Sequence, residues 1–245
     1  MPIVATDLVK YGAASRPSDD VSTTGGAIDT LDRPDITQLT ANAQIAVISD
    51  GADTRTVTVQ GRNAAGAVIS DVITLNGAVE ALGTLTFERI LTITLSTTSA
   101  SRTVTVRQGA GGATRATIGL NELTRTSLFR QSASETGVTL RYEKTFWKNN
   151  HGSLTLNSAQ VRLTADPDAR IRLGLATSIN DTATVTNRKT APAGVSFVDD
   201  NVYQSVPGGV LTAGDRIGVW WELNLPANDI AHRTSATDEL SGTSV

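Results

Sequence analysis

The sequence predicts an all-β protein, in which two antiparallel β-sandwich-like units follow an extended N-terminal arm. Two observations predict this fold class. Apolar residues alternate with threonine and serine in many short stretches of the 245-residue chain, which is the period of a half-buried strand. Clusters of Gly, Asn, Asp and Pro separate these stretches, and no long stretch has the 3.6-residue period of an amphipathic helix. The strands should therefore be joined by hairpins and not by helical crossovers.

The clearest strands lie within residues 56–95. Val57 belongs to a run that alternates with threonines, and the alternation resumes after the turn sequence Asn63–Gly66. Glycine accepts the positive φ that such a turn often needs, so this pattern predicts a β-hairpin followed by a third strand. The preceding apolar run around Val47 is predicted to pair with the run around Val57 through the turn cluster Ser49–Asp53.

The chain divides into four predicted segments. Residues 1–35 are dense in Gly, Pro, Ser and Asp, which interrupt helix and strand patterns, and are predicted to form the extended N-terminal arm. Residues 36–108 form the first β-sandwich-like domain, and residues 109–136 form a linker or bridging segment. Residues 137–245 form the second β-sandwich domain, whose polar tail, residues 232–245, is predicted to be loose.

Six apolar side chains are predicted to contact a partner. Four are isolated anchors of the arm that could occupy pockets of a neighbouring subunit, although the same composition also fits a disordered N-terminus. Two are outward-facing tryptophans, because adjacent strand residues point to opposite faces and Phe146 and Trp221 take the core side. The candidate partner interface is therefore Leu8, Tyr11, Ile28, Leu31, Trp147 and Trp220.

Composition argues against several classes of partner. The formal net charge is -3, whereas nucleic-acid binding needs clustered Lys and Arg. The chain has no cysteine, so it has no disulfide, thiolate metal site or cysteine nucleophile. No apolar run approaches the roughly 18 residues of a membrane span, and the first residues do not resemble a secretory signal. We therefore expect no nucleic-acid partner and no membrane partner.

Candidate chemistry is sparse. The glycine cluster Gly109–Ala113 lacks the spacing of a dinucleotide or phosphate loop, and residues 117–133 hold the one candidate short helix. His151 falls in a predicted turn and His232 in the tail, without the motif of a serine nucleophile. The acidic residues that could bind calcium lack the spacing of a calcium loop and are interpreted as turn formers: Asp166, Asp168, Asp199 and Asp200. No catalytic, cofactor-binding or metal-binding residue is predicted.

Several stretches resemble uncharacterised structural proteins of tailed bacteriophages. They are Glu143–Leu154, Thr190–Val195 and Leu211–Trp220, and the opening residues 6–12 and 25–28 are similar to the N-terminal arms of such proteins. The predicted hairpin that begins the stretch 56–95 resembles the Ig-like modules of virion proteins. The shared motifs are turns and packing patterns, so the resemblance implies a setting in the virion and carries over no functional residues.

These observations lead us to expect a non-enzymatic virion structural protein that assembles in the host cytoplasm. Its first predicted role is capsid decoration and stabilisation, or a place in the head-to-tail neck. Its partners would be major capsid, neck or tail subunits, and it would form a homo-oligomer. Alternatives are a tail or baseplate component and, from another class, a carbohydrate-binding β-sandwich that stacks sugars on an exposed tryptophan.

Overall fold

The computed structural model describes residues 2–130, 137–165, 170–228 and 235–244. It contains 51% strand and 3% helix, which confirms the predicted all-β fold class. The chain forms two compact units: unit 1 combines Met1–Asp29 with Phe129–Val245, and unit 2 is Thr30–Leu128. In the described part of the chain, no helix has the length and apolar character needed to cross a membrane.

The regular structure of the described residues consists of nineteen strands and two single-turn 3₁₀ helices, Ala5–Asp7 and Pro207–Gly209. The strands in chain order are β1 (Leu8–Ser15), β2 (Thr24–Asp29), β3 (Asp32–Arg33), β4 (Ile45–Ser49), β5 (Thr56–Arg62), β6 (Val68–Thr74), β7 (Ala81–Leu82), β8 (Arg89–Leu95), β9 (Val104–Gln108), β10 (Thr114–Ile118), β11 (Thr124–Thr126), β12 (Thr139–Asn149), β13 (Leu156–Ala165), β14 (Ile171–Ile179), β15 (Thr184–Val185), β16 (Gln204–Ser205), β17 (Val210–Leu211), β18 (Arg216–Leu225) and β19 (Thr237–Ser244).

Unit 2 is a sandwich of two sheets. One has the strand order β3-β11-β8-β5-β6 and the other the order β10-β9-β4-β7. Alternate residues of both sheets point between them and form one aliphatic core with a single aromatic ring. Its buried members are Leu39, Ile45, Val47, Val57, Val59, Ile73, Leu75, Phe87, Ile90, Ile93, Leu95, Val104, Val106, Ala116 and Ile118.

The predicted hairpin is confirmed. β5 pairs with β6 in continuous antiparallel register from Thr56 opposite Thr74 to Arg62 opposite Val68. Gly66 closes the turn with φ of 78° and donates its N–H to the Asn63 carbonyl. The predicted pairing of the run around Val47 with β5 is wrong, because β4 pairs with β7 and β9 in the opposite sheet. Both runs face the same core, so their apolar patterns could not show that they lie in different sheets.

The predicted linker at residues 109–136 is also wrong over its described part. β10 pairs with β9 across the glycine cluster, where Gln108 donates its N–H to the Ala113 carbonyl. β11 pairs with β8, so this stretch completes both sheets of unit 2. The candidate short helix over residues 117–133 is replaced by the end of β10 and by β11, and its residues 131–133 lie outside the described residues.

Unit 1 is built around a six-stranded sheet with the order β14-β18-β12-β1-β2-β15. In a smaller sheet, β13 pairs with β16 and β17 along one edge and with β19 along the other. The longest pairing, between β12 and β18, runs antiparallel from Thr139 opposite Leu225 to Lys148 opposite Arg216. Six consecutive residues of β12, 141–146, are buried, so this strand is covered on both of its faces.

The N-terminal arm predicted for residues 1–35 is wrong. β1 pairs with β12, from Leu8 opposite Asn149 to Gly12 opposite Thr145, and β2 pairs with β1. The turn-forming residues of this segment belong to the loop between β1 and β2. The strand that pairs with the other edge of β1 is β12, which lies far along the chain. The predicted domain boundaries move accordingly, because residues 8–29 complete the sheet of the predicted second domain.

Two further predictions for the second domain need correction. The polar tail is not loose over residues 237–244, which form β19 and pair with β13, while residues 232–234 and 245 lie outside the described residues. A polar sequence suffices for an edge strand because one of its faces is solvated. The strand predicted around Phe197 is reduced to an isolated bridge between Leu173 and Val198. His232, Asp166 and Asp168 lie outside the described residues.

Candidate functional site

The six predicted interface residues do not form one surface. Leu8, Tyr11 and Ile28 are partly buried residues of β1 and β2. The Tyr11 hydroxyl accepts a hydrogen bond from Asn150 Nδ2 at 2.9 Å, within the same sheet. Leu31 belongs to unit 2 and is 40% exposed, but its carbonyl accepts hydrogen bonds from the N–H groups of Leu123 and Thr124 at the start of β11.

The prediction that Trp220 faces outward is wrong, because Trp220 is only 1% exposed. Trp221 is equally buried. The two rings do point to opposite faces of the sheet, and both faces are covered. The Trp220 ring packs so closely against β2 that a Cβ on Gly25 would lie 2.8 Å from its Cη2 atom. Adjacent residues of β18 do point to opposite faces, but neither face meets solvent at these two tryptophans.

Trp147 is half-buried and contributes to packing within unit 1. Its Nε1 donates to Asp238 Oδ2 at 2.8 Å, which ties β12 to β19. The Lys10 ammonium pairs with the same carboxylate and lies 4.3 Å from the centroid of the Trp221 ring. Asp238 therefore fixes the C-terminal strand onto the large sheet through a cation and an indole.

A buried lysine lies on the opposite face of the large sheet. Lys144 is fully buried and bonds to the carboxylate of Asp181 and to the carbonyls of Gly26 and Ala183 at 3.2 and 3.1 Å. Burial lowers the pKa of Lys144, and the Asp181 carboxylate opposes that shift. Because all three ammonium donors are occupied, the geometry assigns this lysine to cross-linking the sheet and not to nucleophilic chemistry.

A cavity of about 100 Å³ adjoins this lysine, lined by Ala176, Thr177, Asp181, Ala183, Thr184, Pro192, Ala193, Val195 and Trp220. Typical small-molecule pockets are several times larger, at about 300–1,000 Å³. Its lining is mixed, and its charged member, Asp181, is engaged by Lys144. The cavity has room for a few water molecules beside the Trp220 ring.

A second buried charge cluster surrounds Glu143. Its Oε1 accepts hydrogen bonds from Arg188 Nη2 at 2.8 Å and from the Phe129 N–H at 3.0 Å, and Arg16 lies 3.5 Å from Oε2. Beside it, Arg141 makes a two-bond contact with Asp20 at 2.8 and 2.6 Å. These contacts bind the β1–β2 loop and the segment near Arg188 to β12, so the cluster holds the unit together.

The most exposed apolar surface of a regular element lies on one side of unit 2. β6 is the last strand of its sheet, and Val68 and Val72 on it are 53% and 62% exposed. β7 ends the other sheet on the same side, because Asp71 of β6 accepts N–H bonds from Thr84 and Leu85 at 2.7 and 3.0 Å. We define the edge surface as the exposed apolar residues Val68, Val72, Val79, Leu82 and Leu85.

Sequence reasoning missed the edge surface, although a signal was present. A half-buried strand alternates apolar with polar residues, whereas β6 places Ile69 and Ile73 on its core side and Val68 and Val72 on its outer side. Apolar residues on both faces of a strand indicate that its outer face is covered as well. Here nothing in the described part of the chain covers that face.

His151 and Asp200, two residues interpreted above as turn formers, make local hydrogen bonds, and Asp200 Oδ2 accepts one from Asn201 Nδ2 at 2.9 Å. His151 Nδ1 accepts N–H bonds from Ser153 and Leu154 at 3.2 and 2.9 Å, as expected of a turn residue. Within the described ranges, no three histidine, aspartate or glutamate side chains gather where they could hold a metal ion. No family model matches the chain, and neither a curated protein nor a solved structure resembles it significantly.

Proposed function

We propose that the chain is a non-enzymatic structural subunit of a tailed-phage particle, and that it acts through contacts with neighbouring subunits on the capsid or in the head-to-tail neck. The observation that carries this proposal is the edge surface, where aliphatic side chains project from the ends of both sheets of unit 2. Burying such residues on a neighbour removes apolar area from water, which is the main driving force of subunit association. The resemblance to phage structural proteins supplies the setting.

The charged groups of unit 1 support a structural role as well. Lys144 and Glu143 are buried, Asp238 is partly buried, and each is bonded to groups from other strands or loops. Such contacts fix one conformation of a rigid scaffold. A rigid subunit that binds only the assembled particle stabilises that particle by mass action, without any reaction.

The carbohydrate-binding alternative loses the observation that suggested it. That hypothesis rested on an exposed tryptophan, and Trp220 is buried beneath β2 and the segment that follows β14. The tail and baseplate alternatives remain in the same class, and copy number separates them from capsid decoration.

Quantitative mass spectrometry of particles from the phage or prophage that encodes the chain tests the proposal. The chain should co-purify at a fixed copy number, high for a capsid surface and low for a neck or a tail ring. Leu82→Glu should reduce its incorporation, and Thr98→Glu, at an exposed site of the same unit, should not. A chain that is missing from purified particles would contradict the proposal.

A further inference from the structure

We propose that β6 pairs with β6 of a second copy of the chain, in antiparallel register about a two-fold axis at Ser70. The pairing would join the five-stranded sheets of two copies edge to edge. It is a property of the isolated protein, so it goes beyond the proposed function and would stand if the chain did not belong to a phage particle.

The first observation is that β6 is an open edge. Its register with β5 is continuous over Thr74 to Val68, with no bulge, and no described strand pairs with its other side. In the hairpin, Asn63 donates its N–H to the Ala67 carbonyl, and Leu75 donates to the Arg55 carbonyl. In an antiparallel pair the backbone groups of successive residues point alternately toward and away from the partner strand. Because Ala67 and Leu75 bond toward the β5 side, the N–H and C=O groups of residues 68, 70, 72 and 74 point away from β5.

The second observation is that β6 lacks the features by which proteins block sheet edges. Soluble proteins protect edges with outward lysines, prolines, bulges or very short strands. β6 is seven residues long, and its outward residues Val68, Ser70, Val72 and Thr74 are uncharged. Its one charged residue, Asp71, is 8% exposed and is bonded to Thr84 and Leu85 on the core side.

The third observation selects a second copy as the partner. The outward residues read Val68, Ser70, Val72, the same in both directions. An antiparallel pairing about a two-fold axis at Ser70 therefore gives three facing pairs. Ser70 faces Ser70 of the second copy, and on each side of this pair Val68 of one copy faces Val72 of the other. Cross-strand pairs of β-branched residues stabilise a sheet, and the three facing pairs would form about six backbone hydrogen bonds. No like charges face each other across this strand pair.

Sedimentation equilibrium tests the pairing. The wild-type chain should form a dimer of about twice 25.6 kDa. Ser70→Pro removes an outward N–H that β5 does not use, and should weaken dimerisation at least about tenfold with little change in the fold. Val72→Lys should do the same by adding an edge charge. Gln60→Lys, on the same face but one strand inward, is the matched control and should still dimerise.

Cysteine cross-linking tests the register, since the chain has no cysteine of its own. Ser70→Cys should form an intermolecular disulfide on mild oxidation, because facing hydrogen-bonded residues lie about 5.5 Å apart at Cα. Thr74→Cys, which would face the turn of the second copy, should not. A monomeric wild-type chain, or edge variants that dimerise as well as wild type, would overturn the proposal. Faster cross-linking of Val72→Cys than of Ser70→Cys would overturn the register.

Discussion

The two units belong to one fold class but fill their interiors differently. Unit 2 has an aliphatic core in which Phe87 is the one aromatic ring, and it is the one aromatic residue within Thr30–Leu128. Unit 1 contains all three tryptophans and buries Lys144 and Glu143 completely on the central strand of its sheet. Unit 2 also buries charged groups, such as Arg125 beside Glu122, but they are not part of its aliphatic core. The contrast is therefore one of degree: apolar periodicity specifies the core of unit 2, whereas unit 1 concentrates its buried charges on one strand, β12.

This difference has an energetic consequence. An aliphatic core loses stability in small steps, because each methylene contributes about 0.8 kcal/mol on burial. A buried charge cluster loses stability in large steps. Removal of one charged group leaves its partner buried and unpaired, and the cost of desolvating that partner is no longer offset. Equivalent substitutions in the two units should therefore differ in effect, and this can be measured.

The largest expected effect is that of Glu143→Gln. The change keeps the size of the side chain but leaves Arg188 and Arg16 without their shared carboxylate. Breaking a buried ion pair costs about 3–5 kcal/mol, so the free energy of unfolding measured by urea denaturation should fall by that amount. Glu80→Gln is the matched control in unit 2, where the pair with Arg107 is part-exposed, and should cost at most about 1 kcal/mol. Equal losses would remove the proposed contrast between the units.

Trp220→Ala and Trp221→Ala should be about equally costly. Both residues are 1% exposed, and truncation of a buried aromatic costs about 3–5 kcal/mol. Circular dichroism during urea unfolding is the measurement, because the substitutions alter tryptophan fluorescence. Val202→Ala, at a position 45% exposed in the same unit, should change the free energy of unfolding by less than about 0.5 kcal/mol. A small loss for Trp220→Ala alone would restore the view that this ring faces solvent.

A smaller effect is expected of Ile93→Val in unit 2. Ile93 is fully buried in the aliphatic core, and loss of one methylene there costs about 0.5–1.5 kcal/mol. Val79→Ala, at a position 61% exposed, serves as the control and should leave the urea midpoint nearly unchanged. A loss above about 3 kcal/mol for Ile93→Val would show that unit 2 is as sensitive to single changes as unit 1.

The same contrast explains what could be predicted from the sequence. The β5–β6 hairpin was predictable because its two strands are close in sequence and its turn has a local signature at Asn63–Gly66. β1 was not, because the partner that makes it a strand is β12, which is distant in sequence. Trp220 was misplaced because period-2 reasoning reports which face a residue is on, and not whether that face is covered.

The candidate site shows the same limit. The anchors proposed in residues 1–35 were chosen as apolar residues in a polar segment, yet Leu8 and Tyr11 serve the sheet of unit 1. The edge surface was overlooked because Val68 and Val72 fit an ordinary strand. Only the strand order reveals that β6 is an edge, and strand order follows from long-range pairing that no local pattern encodes.

The smallest predicted effect concerns acid stability of unit 1, which tryptophan fluorescence reports selectively. Burial by itself would raise the pKa of Asp20, but the hydrogen bonds and charge of Arg141, with the charges of Arg188 and Lys189, outweigh it and hold that pKa below its ordinary value. A carboxyl group whose pKa is lower in the folded state stabilises the fold above its unfolded pKa. That contribution is lost as pH falls below about 4 through the folded pKa.

Asp20→Asn also leaves the buried Arg141 guanidinium without its carboxylate, which lowers stability at every pH at which the wild-type carboxyl is charged. The part of the Asp20 contribution that is lost through protonation in the wild type should be less than about 1 kcal/mol. The difference between variant and wild type should shrink as the pH falls below about 4, because the wild-type carboxyl becomes neutral there too. Fluorescence-monitored urea unfolding between neutral and acidic pH measures this difference. Asp199→Asn, at an exposed position of the same unit, should give no such convergence. A difference between Asp20→Asn and wild type that stays constant down to the lowest pH would mean that Asp20 acts through shape and hydrogen bonding alone, and that charge pairing within this cluster is confined to Glu143.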